Sequence, residues 1–140
     1  DKLEIKHALD RLNTGGHLII LVPAHQKIYS KLDKAVGHYK RYEIDFFKQN
    51  KFENSEIVKL HFLDFFGYSL YHLNKIFFKE ETYPTNFKIF VWDKIFTPFT
   101  IIVDFLTGYK FGKNILCIYN SFAHIMFSTT VACFPVQYQG

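Results

Sequence analysis

The sequence predicts an α/β chain in which helices and strands alternate, and three observations carry that prediction. Apolar residues at helical spacing run into a Gly-Gly corner and then into an unbroken apolar stretch, the succession expected of a helix, a tight turn and a sheet-buried strand. Further along, a short alternating stretch precedes a long region in which apolar residues recur at three and four. The 140 residues are 49% apolar and 19% aromatic, enough for one domain with a real core and too few for two.

The elements follow in order. In KLEIKHALDRL (2–12), Leu3, Ile5, Ala8, Leu9 and Leu12 give a short amphipathic helix, stopped by Asn13, Gly15 and Gly16. HLIILVPA (17–24) then reads as a strand buried on both faces of a parallel sheet. From His25 to Tyr42 periodicity is lost, which predicts a long loop with a helical turn between Ile28 and Ala35. Residues Ile44 to Asn50 read as a short helix, and Ile57, Leu60 and Phe62 within 52–67 suggest a second strand. Residues 68–107 read as two helical stretches, with Pro84 between them and Pro98 expected to kink or divide the second. Asn114 to Tyr119, NILCIY, is expected to complete a sheet edge as a third strand.

Charge excludes several classes. The net charge is +4, but no run of five or six like charges occurs, so a nucleic-acid partner is not expected. Cys117 and Cys133 stand without CxxC spacing, and the histidines show no metal-ligand spacing, so neither a disulfide framework nor a metal site is expected. No Ser, His and Asp set stands in a nucleophile-elbow context, which removes hydrolase chemistry. After Lys113 the chain carries no Asp, Glu, Lys or Arg; residues 115–136 are long enough for a membrane span, but Asn120, Ser121, His124, Ser128, Thr129 and Thr130 dilute them below a convincing one, and 121–140 reads as an apolar tail.

The segment LDRLNTGGHLIILVPAHQKIYSKLDKAVGHYKRY (9–42) resembles class I S-adenosylmethionine-dependent methyltransferases, in which a helix, an "L-x-P-G-G" turn and a hydrophobic strand form the fifth strand unit. The turn here reads Leu12-Asn13-Thr14-Gly15-Gly16, with Thr14 in place of the family's proline. The likeness is closest to a bacterial subgroup with a "VPA…D…GHYRRY" stretch, often found beside or fused to polyprenol-phosphate-type glycosyltransferases. GHYKRY (37–42) is its most specific part. It continues through EIDFFKQNKFENSEIVKLHFLDFFG, which looks like the family's following helix and sixth strand, to NILCIY, which looks like its antiparallel seventh strand.

The resemblance implies the carboxy-terminal half of a methyltransferase domain over residues 1–120: the last three strands of a Rossmann-like sheet, with a helical insertion at 68–107 between the last two. Residues 121–140 depart from the family. S-adenosylmethionine is the implied cofactor of the intact parent, yet the family's Gly-rich loop, ribose-binding acid and adenine-framing residue have no counterpart here. No cofactor-binding residue is therefore assigned, and the chain alone is not expected to methylate anything.

Candidate site residues lie in the loop after the first strand, where α/β folds place ligands. His25, directly at the strand end, is the candidate base for removing a proton from the acceptor. Tyr29, His38, Tyr39, Lys40, Arg41 and Tyr42 are the candidate acceptor-binding residues, with Lys40 or Arg41 steering an anionic group and the rings forming a wall. Against this stands a structural role, in which Arg41 and Tyr42 merely anchor the loop. The aromatic stripes of 68–107 are expected to be core, with a lid over a lipid-linked acceptor or a membrane-interface surface as the alternative. The implied function is methyl transfer to a small or lipid-linked acceptor in the cytoplasm or at the membrane surface. The competing function is a non-catalytic module that binds a partner or a membrane through its aromatic helices.

Overall fold

A computed structural model of the chain describes residues 1–77 and 86–122. The chain opens with α1 (Lys2–Asp10), which buries Ile5 and Leu9 and, just past its end, Leu12, while Leu3 faces solvent. The corner that follows needs both of its glycines. Gly15 has φ +80, and a Cβ on Gly16 would lie 2.9 Å from the Asn13 carbonyl oxygen. The corner is also tied to the far end of the sheet, because Gly15 N–H donates to Ser121 (2.7 Å) and Ser121 N–H donates to Gly16 (3.0 Å).

Strand β1 (His17–Pro23) comes next, followed by a 3₁₀ turn at Gln26–Ile28, α2 (Lys31–Ala35) and α3 (Ile44–Gln49). Strand β2 (Ser55–Leu63) leads into α4 (Phe65–Phe77). Then α5 (Asn86–Val91), a π-helical turn (Trp92–Phe96) and α6 (Thr97–Leu106) run on from one another. Strand β3 (Asn114–Ser121) closes the described chain. The helical insertion thus lies between the last two strands, as expected. Where a kink or division is expected at Pro98, the helical run continues without a break and widens into the π turn (Trp92–Phe96) just before it. Pro84 and residues 123–140 lie outside the described residues.

The sheet order is β1-β3-β2, with both pairings antiparallel. This corrects the expectation that NILCIY forms an edge: β3 is the central strand, pairing His17 with Asn120 on one side and Ser55 with Ser121 on the other. The two flanking strands run parallel to each other without touching. The expectation for β1 needs a matching correction, since its ladder is antiparallel and only one face is covered. Leu18, Ile20 and Ala24 are buried, whereas Leu21 on the other face is 54% exposed. An apolar run marks a strand, but it cannot say how many of its faces will find a cover.

One face of the sheet carries the core. Leu18, Ile20, Ile115, Cys117 and Tyr119 pack against Ile5, Leu9 and Leu12 from α1 and its end, and against Phe47 from α3. Fully burying each aliphatic side chain contributes about 1.5–3 kcal/mol, so this layer dominates the stability of the described chain. β2 joins it through a bulge. The register shifts between Ile57 and Lys59, which puts Ile57, Leu60 and Phe62 opposite Tyr119, Cys117 and Ile115 although their spacing in sequence is irregular.

The helical insertion is fastened to the sheet by Asp104 of α6. Its carboxylate, 3% exposed, accepts hydrogen bonds from the backbone N–H of Asp64 (2.7 Å) and of Phe65 (2.8 Å), at the step from β2 into α4. Asp64 in turn accepts from Gly67 N–H (2.8 Å), and only glycine leaves room for that carboxylate, since a Cβ on residue 67 would stand 2.1 Å from it. Among the described residues, no helix is long and apolar enough to cross a membrane.

Two outcomes follow from this packing. Burial pushes the Cys117 thiol up to about 12, so alkylation of the folded protein, mapped by peptide mass spectrometry, should leave Cys117 unmodified until denaturant is added. Asp104→Ala strands two backbone donors at the β2–α4 step and should cost about 2–3 kcal/mol in urea denaturation.

Candidate functional site

A polar crevice of about 180 Å³ opens where the carboxyl ends of β1 and β2 meet the start of β3. Its polar wall is Asp33, His38, Arg41, Asp64, Lys113 and Asn114, and Pro23 and Val36 supply the apolar part. Among these, the central contact is the pair between Asp33 and Arg41, which are 3% and 7% exposed. Arg41 donates from Nε (3.1 Å) and from one terminal nitrogen, Nη2, to the Asp33 carboxylate, the closest approach being 2.8 Å. Its other terminal nitrogen donates to the Ala24 carbonyl (3.1 Å), which joins the returning loop to the end of β1. Ser30 completes the shell, donating from both N–H (2.8 Å) and hydroxyl (3.0 Å) to Asp33.

These contacts decide the charge of Asp33. Burial acts to raise its pKa, but the Ser30 N–H and the Arg41 guanidinium outweigh burial and hold the carboxyl below its ordinary range. His38 stands at the rim with Nδ1 3.4 Å from Asp33. Lys113 moves the opposite way to a surface lysine: burial and then the nearby Arg41 charge lower its pKa, against the pull of Asp64 and Asp33. The crevice therefore sets the Asp33 and Asp64 carboxylates against Arg41 and Lys113, with the Lys113 ammonium less favoured than at the surface, a lining suited to a polar group.

The structure divides the sequence-predicted residues between this crevice and a neighbouring groove. Arg41 and His38 line the crevice. Tyr39, Lys40 and Tyr42, with His38 again, line a groove of about 330 Å³ that follows the outer edge of β1 past Asp1 and Glu4. Tyr39 is 73% exposed there, and Lys40 ion-pairs with Asp1 and lies 4.9 Å from the centre of the Tyr42 ring. Tyr42 is part of the scaffold as well, since its N–H donates to Pro23 (2.8 Å) and its carbonyl accepts from His25 (2.9 Å), adding a parallel bridge beside β1. Tyr29 lines neither; its hydroxyl donates to the His38 carbonyl (2.6 Å) and closes the loop upon itself.

His25 also lies outside the crevice wall. Its Nε2 is 3.0 Å from the Gly112 carbonyl oxygen, so that nitrogen carries the proton, and Nδ1 faces Glu43 at 3.8 Å. The ring stacks on Phe62 and tilts against Tyr68, each at 5.0 Å between centres. In this geometry His25 holds the segment before β3 against the end of β1, and it does so with φ +62, a strained conformation for histidine. Gly112 is required beside it, because a Cβ there would fall 2.1 Å from the Leu63 carbonyl oxygen.

Sequence reasoning missed Lys113, Asp64 and Asn114 as wall residues and gave Asp33 no role. Asp33 could have been found from its place in the "VPA…D…GHYRRY" likeness. The other three flank the second and third strands and carry no local signal, since only the sheet order brings them to β1. Among the described residues no group of three or more His, Cys, Asp and Glu side chains is gathered that could hold a metal. Comparison with protein-family models, with curated proteins and with solved structures finds no match for this chain.

Because Asp33 is depressed in the folded state, the stability it contributes is complete above its unfolded pKa of about 3.9 and is lost as pH falls through the lower folded value. Asp33→Asn should remove about 3 kcal/mol at pH 7 by leaving Arg41 buried and unpaired. Urea midpoints measured from pH 6 downward should show the parent losing stability in acid and the variant losing less.

Proposed function

We propose that the chain is the carboxy-terminal half of a class I S-adenosylmethionine-dependent methyltransferase domain and supplies the acceptor side of its site. The observation that carries this reading is the sheet: a last strand, antiparallel, inserted between two mutually parallel strands, the first of which follows a helix and a Gly-Gly corner. The antiparallel direction of β3 accords with the antiparallel seventh strand that NILCIY resembles, within a likeness spanning about residues 3–119. The ligand-side loop of the likeness, GHYKRY, is also the segment whose Arg41 closes over the carboxyl end of β1.

Among the described residues, the glycine pair is not a cradle for the cofactor. Gly15 and Gly16 are spent on the turn before β1, where they bond to Ser121, and neither opens onto a helix N-terminus. Holding S-adenosylmethionine therefore falls to residues other than these, and the 140-residue chain by itself is inactive on this reading. Its own contribution is to bind and orient a small or lipid-linked acceptor. Lys113, His38 and Asn114 line the crevice where such an acceptor would sit, and burial makes the Lys113 ammonium less favoured than at the surface. A cytoplasmic setting goes with this reading and suits the unpaired buried thiol of Cys117.

Calorimetric titration tests the assignment. S-adenosylmethionine should give no binding heat with the 140-residue chain and micromolar binding once the encoding frame is extended upstream of Asp1 to include a strand and glycine-rich loop. An upstream frame without such a loop, or an extended protein that fails to bind the cofactor, would remove the methyltransferase reading.

A further inference from the structure

Helix α6 is amphipathic in the reverse sense. Its apolar residues Pro98, Ile101, Ile102, Phe105 and Leu106 fall at i, i+3, i+4, i+7 and i+8, a single face, and that face points into solvent. Ile101 is 64% exposed, Ile102 58%, Phe105 72% and Leu106 76%, whereas the helix's one charged residue, Asp104, is turned inward and consumed in the β2–α4 latch. A helix facing water puts its polar side out. Of the positions expected to be core, Phe99, Ile102 and Leu106 are exposed while Val103 is half-buried, and Phe87 and Phe90 of α5 and Ile95 of the π turn are exposed as well.

The charges around this surface indicate what covers it. Lys94 and Lys110, both exposed, flank α6 at its two ends, and Asp93 is the only exposed carboxylate on the described part of the unit. Between the two lysines the exposed residues of α6 are apolar apart from Thr97, which offers a partner protein little to select by directed hydrogen bonds. Lysines beside an apolar face can extend their charged ends to the level of lipid headgroups while their stems stay in contact with apolar surface. At ten residues α6 is only about 15 Å long, which suits a helix lying along an interface rather than crossing it.

We propose that the outward face of α5, the π turn and α6 docks in the plane of an anionic lipid bilayer. Asp104 ties the opposite face of α6 to the backbone of Asp64, whose side chain lines the crevice, so docking would hold the crevice close to the headgroup layer. Resting on the methyltransferase reading, this selects the lipid-linked acceptor over the small soluble one; the docking itself stands independently of that reading.

Flotation of the full chain with vesicles tests it. The protein should float with phosphatidylcholine vesicles containing about a third phosphatidylglycerol, and less with phosphatidylcholine alone. Ile101→Ser combined with Phe105→Ser should reduce partitioning at least tenfold with unchanged circular dichroism. Lys94→Glu with Lys110→Glu should abolish the preference for the anionic vesicles. If the serine variant fails to fold, fluorescence of Phe105→Trp decides, with quenching by bromine-labelled lipid chains supporting docking and absence of quenching overturning it. No flotation with either vesicle, or a dimer in sedimentation that the serine substitutions dissolve, would also overturn the proposal. Cofactor titration reads a different event, so either idea can fail while the other stands.

Discussion

A guanidinium and a carboxylate, both withdrawn from water, govern the ligand side of this molecule. The loop leaving β1 at Ala24 travels through a 3₁₀ turn and α2 before it returns at Tyr42, where two backbone hydrogen bonds set it beside the strand. Arg41 fixes the course between by reaching Asp33 within the loop and the Ala24 carbonyl at its root. A pair of this kind adds little to stability over a well-packed apolar substitute, but losing one member leaves the other charged, buried and unmatched. The interaction thus specifies one loop conformation, and His38, Tyr39 and Lys40 take their positions from it.

The second organising contact is of the same chemical kind and sits across the crevice. Asp104 brings the helical insertion to the β2–α4 step by capping two amides, and Asp64 passes the constraint on by capping α4. Carboxylates accepting backbone N–H bonds are suited to this because charge-assisted bonds are strong and the amides at a strand-to-helix step have no ladder partner. The crevice is consequently framed by two rigid joints, one at the end of each outer strand.

Much of the local structure was legible in the sequence, and what was not legible was non-local. Helical spacing identified α1, α3 and the helices of the insertion, and the apolar runs identified all three strands. Neither signal contains strand order, so NILCIY passed for an edge while the Ile115, Cys117 and Tyr119 side chains lie at the centre of the core. The uneven spacing of Ile57, Leu60 and Phe62 became intelligible only through the bulge that realigns them. In α6 the periodicity grouped Phe99, Ile102, Val103 and Leu106, whereas the face left exposed runs through Ile101, Ile102, Phe105 and Leu106, because apolar spacing is blind to which side of a helix finds a cover. For the site, GHYKRY lies in the loop that lines the crevice through His38 and Arg41. It did not distinguish the residues that hold the loop, Tyr29 and Arg41, from those the loop presents, because both kinds are the same polar and aromatic types.

The central position of β3 bears on the order in which the chain can assemble. β1 and β2 share no ladder with each other, so each lacks its hydrogen-bonding neighbour until residues 114–121 are available. During synthesis both would wait as unpaired segments while the whole apolar insertion is made between them. Closure of the sheet is then a late, long-range event, and the Gly15–Ser121 clasp joins the first turn of the molecule to its last described strand in that same step.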